Sequence, residues 1–300
     1  MINQFFKDTR PGGQLLALGL IFVLFFILSA GVSLVAMVAG LEINSLGSLA
    51  ISQVVSFAGT AIAFAFMFYG KPFQHLGVKM TERMAIKLFA SCAILVCLIP
   101  MSDWLTRVND ALHFPQGLAA FEEKLRSIGE ESGTMVQALL SREGVGYLLC
   151  NLLVFALVPA VCEEMLFRGA LQQLFCRILR SHHAAIWLTA AVFSLFHGEI
   201  FAFLPRFVLG AALGYLFYYG GSLWINSIAH FLNNALAIIL FYLGSNGIVN
   251  SRLTESLNAP WYLALVGLAL AVVIFTYVFM RQNNEKQFSK SDDKAVDEIQ

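Results

Sequence analysis

Eight stretches of this 300-residue chain are apolar for so long that few folds remain open to it. They run over 14–41, 47–70, 84–106, 146–180, 183–198, 203–220, 222–244 and 260–280. A helix crosses the hydrocarbon core of a bilayer with about 20 apolar residues, and inside that core every backbone N–H and C=O has to find its partner within the chain. The pattern therefore predicts an all-α, polytopic transmembrane bundle of about eight helices. The fifth and sixth stretches are short, which suits a position inside the bundle or beside a wet cavity. The first is too long for the 7–15 residue core of a signal peptide, roughly, and is read as the first span although Lys7 and Arg10 precede it.

Charge is sparse and its placement is informative. Only 13% of residues are charged against 58% hydrophobic, with a mean hydropathy of +0.74, and the formal net charge is zero. A chain with no basic excess lacks the face that neutralises phosphates, so nucleic-acid binding is set aside. Lys and Arg collect before the first span (Lys7, Arg10), after the second (Lys71, Lys79, Arg83, Lys87), at the end of the fourth (Arg177, Arg180) and after the eighth (Arg281, Lys286, Lys290). The loop after span one carries Glu42, and the 107–143 segment carries Asp110, Glu122, Glu123, Glu130, Glu131 and Glu143. Basic residues stay in cytoplasmic loops, so both termini are expected in the cytoplasm.

In the 107–143 segment Leu118, Phe121, Leu125 and Ile128 recur at helical spacing, which predicts amphipathic interfacial helices between spans three and four. A cap over the outer face is favoured there over a substrate lid. The chain divides into an N-terminal three-span region (1–144), a helical core (145–245), a last span (246–281) and a polar tail (282–300) expected to be disordered. The five cysteines are odd in number and lack CxxC spacing, so they read as packing residues; Cys162, beside two carboxylates, is not read as a nucleophile.

Chemistry has to be sought where polar groups interrupt the apolar runs. In CEEMLFRGAL, Glu163, Glu164 and Arg168 sit mid-span, where each charge costs roughly 2.5 to 3.5 kcal/mol unless it is paired or wet. Residues four apart share a helix face while neighbours diverge by about 100°, so Glu164 and Arg168 face each other and Glu163 points elsewhere. A single buried salt-bridge cluster containing both glutamates remains the competing reading. Phe193 lies one turn before His197, and His230 one turn before Asn234. A lone histidine on an apolar face is usually a satisfied core residue, but three neighbouring spans each bearing polar groups at one-turn spacing are harder to explain by packing. Counting from the Ser181–His183 turn at about 1.5 Å per residue puts Glu163 and His197 at one level, with His230 within reach, and the shared level is expected in the cytoplasmic half.

These residues carry a resemblance. Glu163-Glu164-Met165-Leu166-Phe167-Arg168 as EExxxR, Phe193 to His197 as FxxxH, and His230 to Asn234 as HxxxN resemble, in order, the CPBP family of intramembrane endopeptidases, which includes the type II CAAX prenyl endopeptidases and the bacterial Abi proteins. The resemblance implies catalysis by Glu163 and His197 on a water, with His230 and Asn234 stabilising the oxyanion, Glu164 and Arg168 as a structural ion pair, and Phe193 supporting the motif. It also implies an integral protein of a bacterial cytoplasmic membrane, in contact with lipid, acting on a peptide or lipidated protein without a cofactor. One alternative is a zinc protease with Glu163, His197 and His230 as ligands; without HExxH, and with Asn234 beside His230, the metal-free form is preferred. A non-enzymatic immunity or scaffold protein, and a transporter with a Glu/His proton relay, are the readings from other classes.

Overall fold

In the computed structural model, residues 6, 8–38, 45–249 and 258–281 are described; the tail 282–300 lies outside them, as do Lys7, Glu42, Lys286 and Lys290. Among the described residues the chain is helical and has no strand. The principal helices are α1 (Pro11–Val38), α2 (Leu46–Phe68), α3 (Met84–Asp110), α4 (Ala119–Leu140), α5 (Val145–Leu179), α6 (His182–Phe196), α7 (Phe203–Gly220), α8 (Leu223–Ser245) and α9 (Trp261–Met280). Among the described residues, seven helices are long and apolar enough to cross a membrane. The remaining stretch, α6, is apolar but only 15 residues long. At 1.5 Å per residue it spans about 22 Å, less than the hydrocarbon thickness of about 30 Å. The molecule is thus an all-α polytopic bundle of an integral membrane protein.

Its outside is oily because lipid, not water, is its solvent. On α1 Leu16, Leu20, Leu24 and Ile27 are exposed, and on α9 Leu265, Val266, Leu270 and Val273. Inside, two large cores form among the described residues, with three smaller clusters beside them. One joins α1, α2, α5 and α6 through Leu18, Phe64, Phe68, Phe167, Leu174 and Phe193. The other joins α3, α7, α8 and α9 through Ile94, Leu213, Leu216, Ala229, Ala264 and Ala271. Without a hydrophobic drive between helices in lipid, small residues that let backbones meet become important. Gly267 is such a place, since a Cβ there would lie 2.1 Å from the Cys97 carbonyl oxygen of α3.

Local sequence explains how the site-bearing helices turn and bend. Arg180 takes a left-handed conformation (φ 53°) to end α5, and Ser181 caps α6 by accepting the Ala184 N–H. Gly221, at φ 71°, makes the α7–α8 turn. Within α5, Met165–Gln172 widens to π-type i→i+5 bonding directly after Glu163 and Glu164, a distortion frequent at functional sites.

The 107–143 segment is mainly one helix, α4, with Glu122 and Leu139 buried and Leu118, Phe121, Ile128 and Met135 exposed. It is tied to the loop that follows α6. Asn109 donates to the Ile200 carbonyl at 3.1 Å and accepts the Leu204 N–H at 2.7 Å, and the Arg126 guanidinium lies 3.7 Å from the centre of the Phe201 ring. This corrects the expected position of His197. His197 is exposed at the C-terminal end of α6, three residues before Ile200, because α6 is short and stops there. It therefore lies toward the end of the bundle that α4 covers, not in the half nearer the Ser181–His183 turn.

Candidate active site

Two polar stripes with four-residue spacing face each other between α5 and α8. The first is Glu164, Arg168 and Gln172; the second is Asn226, His230 and Asn234. Glu164 and Arg168 are fully buried, and Arg168 Nη1 donates to Glu164 Oε1 at 2.8 Å. The same oxygen accepts from His230 Nδ1 at 3.1 Å, and Asn226 Nδ2 donates to Glu164 Oε2 at 3.3 Å. One carboxylate thus receives an arginine, a histidine and an amide, and binds α5 to α8.

α7 completes the seam with backbone alone. Arg168 Nη2 donates to the Gly210 carbonyl and Gln172 Nε2 to the Gly214 carbonyl, each at 3.0 Å, while Asn226 Nδ2 also reaches the Leu213 carbonyl. These carbonyls can be approached because α7 is thin here. A Cβ at Gly210 would come within 3.1 Å of Phe193, and one at Gly214 within 2.8 Å of Ile186. Glu164 is therefore desolvated but well supplied with partners, and Arg168 is paired through Nη1 and Nη2 while its buried Nε has no partner; good pairing is the condition under which a buried ion pair is tolerated.

Phe193 links this seam to His197. The Arg168 guanidinium carbon lies 4.6 Å from the centre of its ring, in cation–π range. The His197 and His230 rings approach the same phenyl group at centroid separations of 4.9 and 6.2 Å. The Phe193 carbonyl, in turn, is 2.9 Å from His197 Nδ1. A carbonyl only accepts, so Nδ1 carries the proton and the neutral ring presents its lone pair at Nε2. The same reasoning assigns the Nδ1 proton of His230 to the bond with Glu164.

The remaining two residues have looser surroundings. Glu163 is 5% exposed, and its carboxylate accepts no hydrogen bond from any described residue. Asn234 is half-buried, and its Nδ2 lies 3.5 Å from the Phe155 carbonyl, at the long limit of a hydrogen bond. That carbonyl needs a partner because Pro159, four residues on, has no N–H to offer it. The structure thus joins Glu164, Arg168, Phe193, His197 and His230 through contacts, and leaves Glu163 and Asn234 on the margins of the group. Among the described residues, no three His, Cys, Asp or Glu side chains meet in a group able to hold a metal ion, so Glu163, His197 and His230 do not form a ready ligand set.

Gln172 and Asn226 were not singled out by the sequence reading. Their signal was available, since each extends a polar pair by one further helical turn within an apolar run.

Geometry of this kind, a sealed polar seam with a buried carboxylate beside it inside a lipid-facing bundle, accords with a family found by comparison. Residues 145–236 match the family described as type II CAAX prenyl endopeptidase Rce1-like. The match begins with α5 and ends within α8, so it encloses both stripes, Phe193 and His197, and makes this segment similar to membrane proteases of the CAAX type. No curated protein and no solved structure matched the chain.

Proposed function

We propose that the protein is an intramembrane endopeptidase that cleaves membrane-associated peptides or lipidated proteins by a glutamate-dependent, metal-free mechanism. The observation that carries this reading is the division of labour between adjacent acids: Glu164 is saturated by Arg168, His230 and Asn226, whereas Glu163 is buried with no hydrogen-bond donor of its own. A buried carboxylate that no side chain saturates with hydrogen bonds suits a general base.

In this mechanism Glu163 takes a proton from a water that also hydrogen-bonds His197 Nε2, and the resulting hydroxide attacks the scissile carbonyl. The carbonyl π electrons move to oxygen, and the oxyanion accepts hydrogen bonds from Asn234 Nδ2 and His230 Nε2. Asn234 suits the task because its present bond is long and easily exchanged. Since His230 Nδ1–H is committed to Glu164, donation at Nε2 requires the ring to carry both protons. Collapse of the intermediate breaks the C–N bond, and the proton held by Glu163 passes to the departing amine. One such oxyanion donor is worth about 3 to 4 kcal/mol.

The test is cleavage in proteoliposomes and the membrane-peptide profile of cells. Glu163→Gln should keep the wild-type melting profile and lose about 10²- to 10⁴-fold in rate, while chelators leave the wild type active. Activity that disappears on chelation and returns with zinc would replace this mechanism with the metal-dependent one. An unaltered peptide profile, with normal rates in the variant, would remove the protease reading altogether.

A further inference from the structure

At the opposite end of the bundle from α4, a cavity of about 460 Å³ lies where α2 leaves, α5 turns into α6 and α7 turns into α8. Its polar lining includes Tyr69, Gln74, His75, Lys79, Gln173 and Arg177, and no carboxylate is among its lining residues. None of these residues takes part in the seam described above.

The walls are fixed by hydrogen bonds to backbone carbonyls between elements far apart in sequence. Gln173 Nε2 donates to the His75 carbonyl at 2.7 Å, Leu223 N–H to the Gly77 carbonyl at 2.8 Å, and Ser222 Oγ to the Lys79 carbonyl at 2.6 Å. The 69–79 loop is thereby fastened to α5 and to the α7–α8 turn, so the cavity is built rather than left between loose segments. Its charge is unbalanced. Arg177 Nη2 gives hydrogen bonds to Gln14 Oε1 and Tyr69 Oη, both neutral, and no carboxylate among the described residues pairs with Arg177 or Lys79.

His75 completes the wall. Its ring stacks flat on Tyr69, with centroids 3.4 Å apart, and its Nε2 is sealed with no hydrogen-bond partner. Burial, and then the nearby Arg177 charge, push its pKa down to about 4, so at neutral pH it adds a polar neutral edge and the two cations carry the positive charge.

We propose that this cavity binds a phosphate-type oxyanion, supplied by the headgroup of an anionic phospholipid or by free phosphate, between Lys79 and Arg177. A basic pocket between the ends of membrane helices is suited to phospholipid headgroups, and guanidinium geometry matches phosphate oxygens. The volume falls within the range of small-ligand sites, about 300 to 1,000 Å³. A ligand there would cross-link three parts of the bundle and stabilise it by mass action.

The experiment uses the full chain in two settings. In nanodiscs, its melting temperature is compared between pure phosphatidylcholine and phosphatidylcholine containing phosphatidylglycerol. In neutral detergent, it is titrated with inorganic phosphate against chloride at matched ionic strength. The wild type should melt several degrees higher with the bound oxyanion, saturably, and Lys79→Glu should lose the rise, or need at least tenfold more ligand, without melting lower in pure phosphatidylcholine. Arg177→Gln should behave alike; should it fail to fold, Lys79→Glu carries the test alone. Saturation by phosphatidylglycerol but not by phosphate assigns the lipid as the source, and the reverse assigns free phosphate. No rise beyond that of chloride in either setting, or a rise fully kept by Lys79→Glu, overturns the proposal.

Discussion

The chain uses one local device twice, in opposite surroundings. Glu164 and Arg168 on α5 are an acid and an arginine four residues apart, and so are Glu122 and Arg126 on α4, with donor–acceptor distances of 2.8 and 2.9 Å. The inner pair is sealed between three helices. The outer pair sits at the edge of an amphipathic helix, where Glu122 also takes the Phe114 N–H at 2.7 Å and His113 at 2.8 Å, and Arg126 also holds Asp110. Identical spacing therefore says little about energy; the surrounding dielectric decides. Removing one member of a fully sealed pair strands a charge, whereas at the rim Arg126 is 26% exposed and water can replace it at smaller cost.

The comparison can be broken most forcefully at Arg168. Arg168→Leu should destabilise the bundle by about 3 to 5 kcal/mol, because Glu164 is left buried without its counter-charge; reversible unfolding in detergent measures it, and wild-type stability would mean that the seam is wetter than it looks. Replacing both charges separates stability from chemistry. Glu164→Gln combined with Arg168→Met should return stability to within about 1 kcal/mol of wild type. Cleavage should still fall by about ten- to a hundredfold, since a residue that orients a catalytic ring is costly to alter even when the fold survives. Full activity in that double variant would reduce Glu164 to an ion-pair partner.

The outer pair should respond to pH instead. Hydrogen bonds from the Phe114 N–H, His113 and Arg126 hold the Glu122 carboxyl down at about 2, below its ordinary value of 4.5. A depressed acid stabilises above the unfolded value, so the anchoring of α4 should be complete above pH 4.5 and fade as pH falls toward 2. Hydrogen exchange across α4 should show this in the wild type and a flat response in Glu122→Gln. The smallest effect is expected at His75, held at about 4 against an ordinary 6.5. The folded state then resists a proton that the unfolded state accepts, so its contribution is greatest above pH 6.5 and declines down to about pH 4. His75→Phe, which keeps the stack on Tyr69, should flatten that part of the melting curve against pH.

The same contrast explains what could be read from the sequence. Long apolar runs have one physical solution in lipid, so the helical bundle and the amphipathic character of α4 were legible from hydropathy and four-residue spacing. The length of α6 was not, because hydropathy carries the run through His197 while the helix ends at Phe196. The helix ends there, which leaves His197 exposed at its C-terminal end, the end away from the Ser181–His183 turn. Spacing along one helix also cannot reveal partners on another. It set Glu164 opposite Arg168 and gave no hint that His230, 66 residues away, shares the same oxygen. The fold places the partner; the sequence only makes it available.

Keeping acid and base on one helix has a consequence for biogenesis. As α5 coils, Glu164 and Arg168 cancel within a single turn, long before α8 has left the ribosome. The middle of the segment is then left with one uncompensated charge, that of Glu163, instead of three separate ions, and Arg177 follows only at the helix end. Had the arginine been carried by α8, the fifth helix would have had to enter the bilayer with two uncompensated carboxylates and wait for its counterion to be translated.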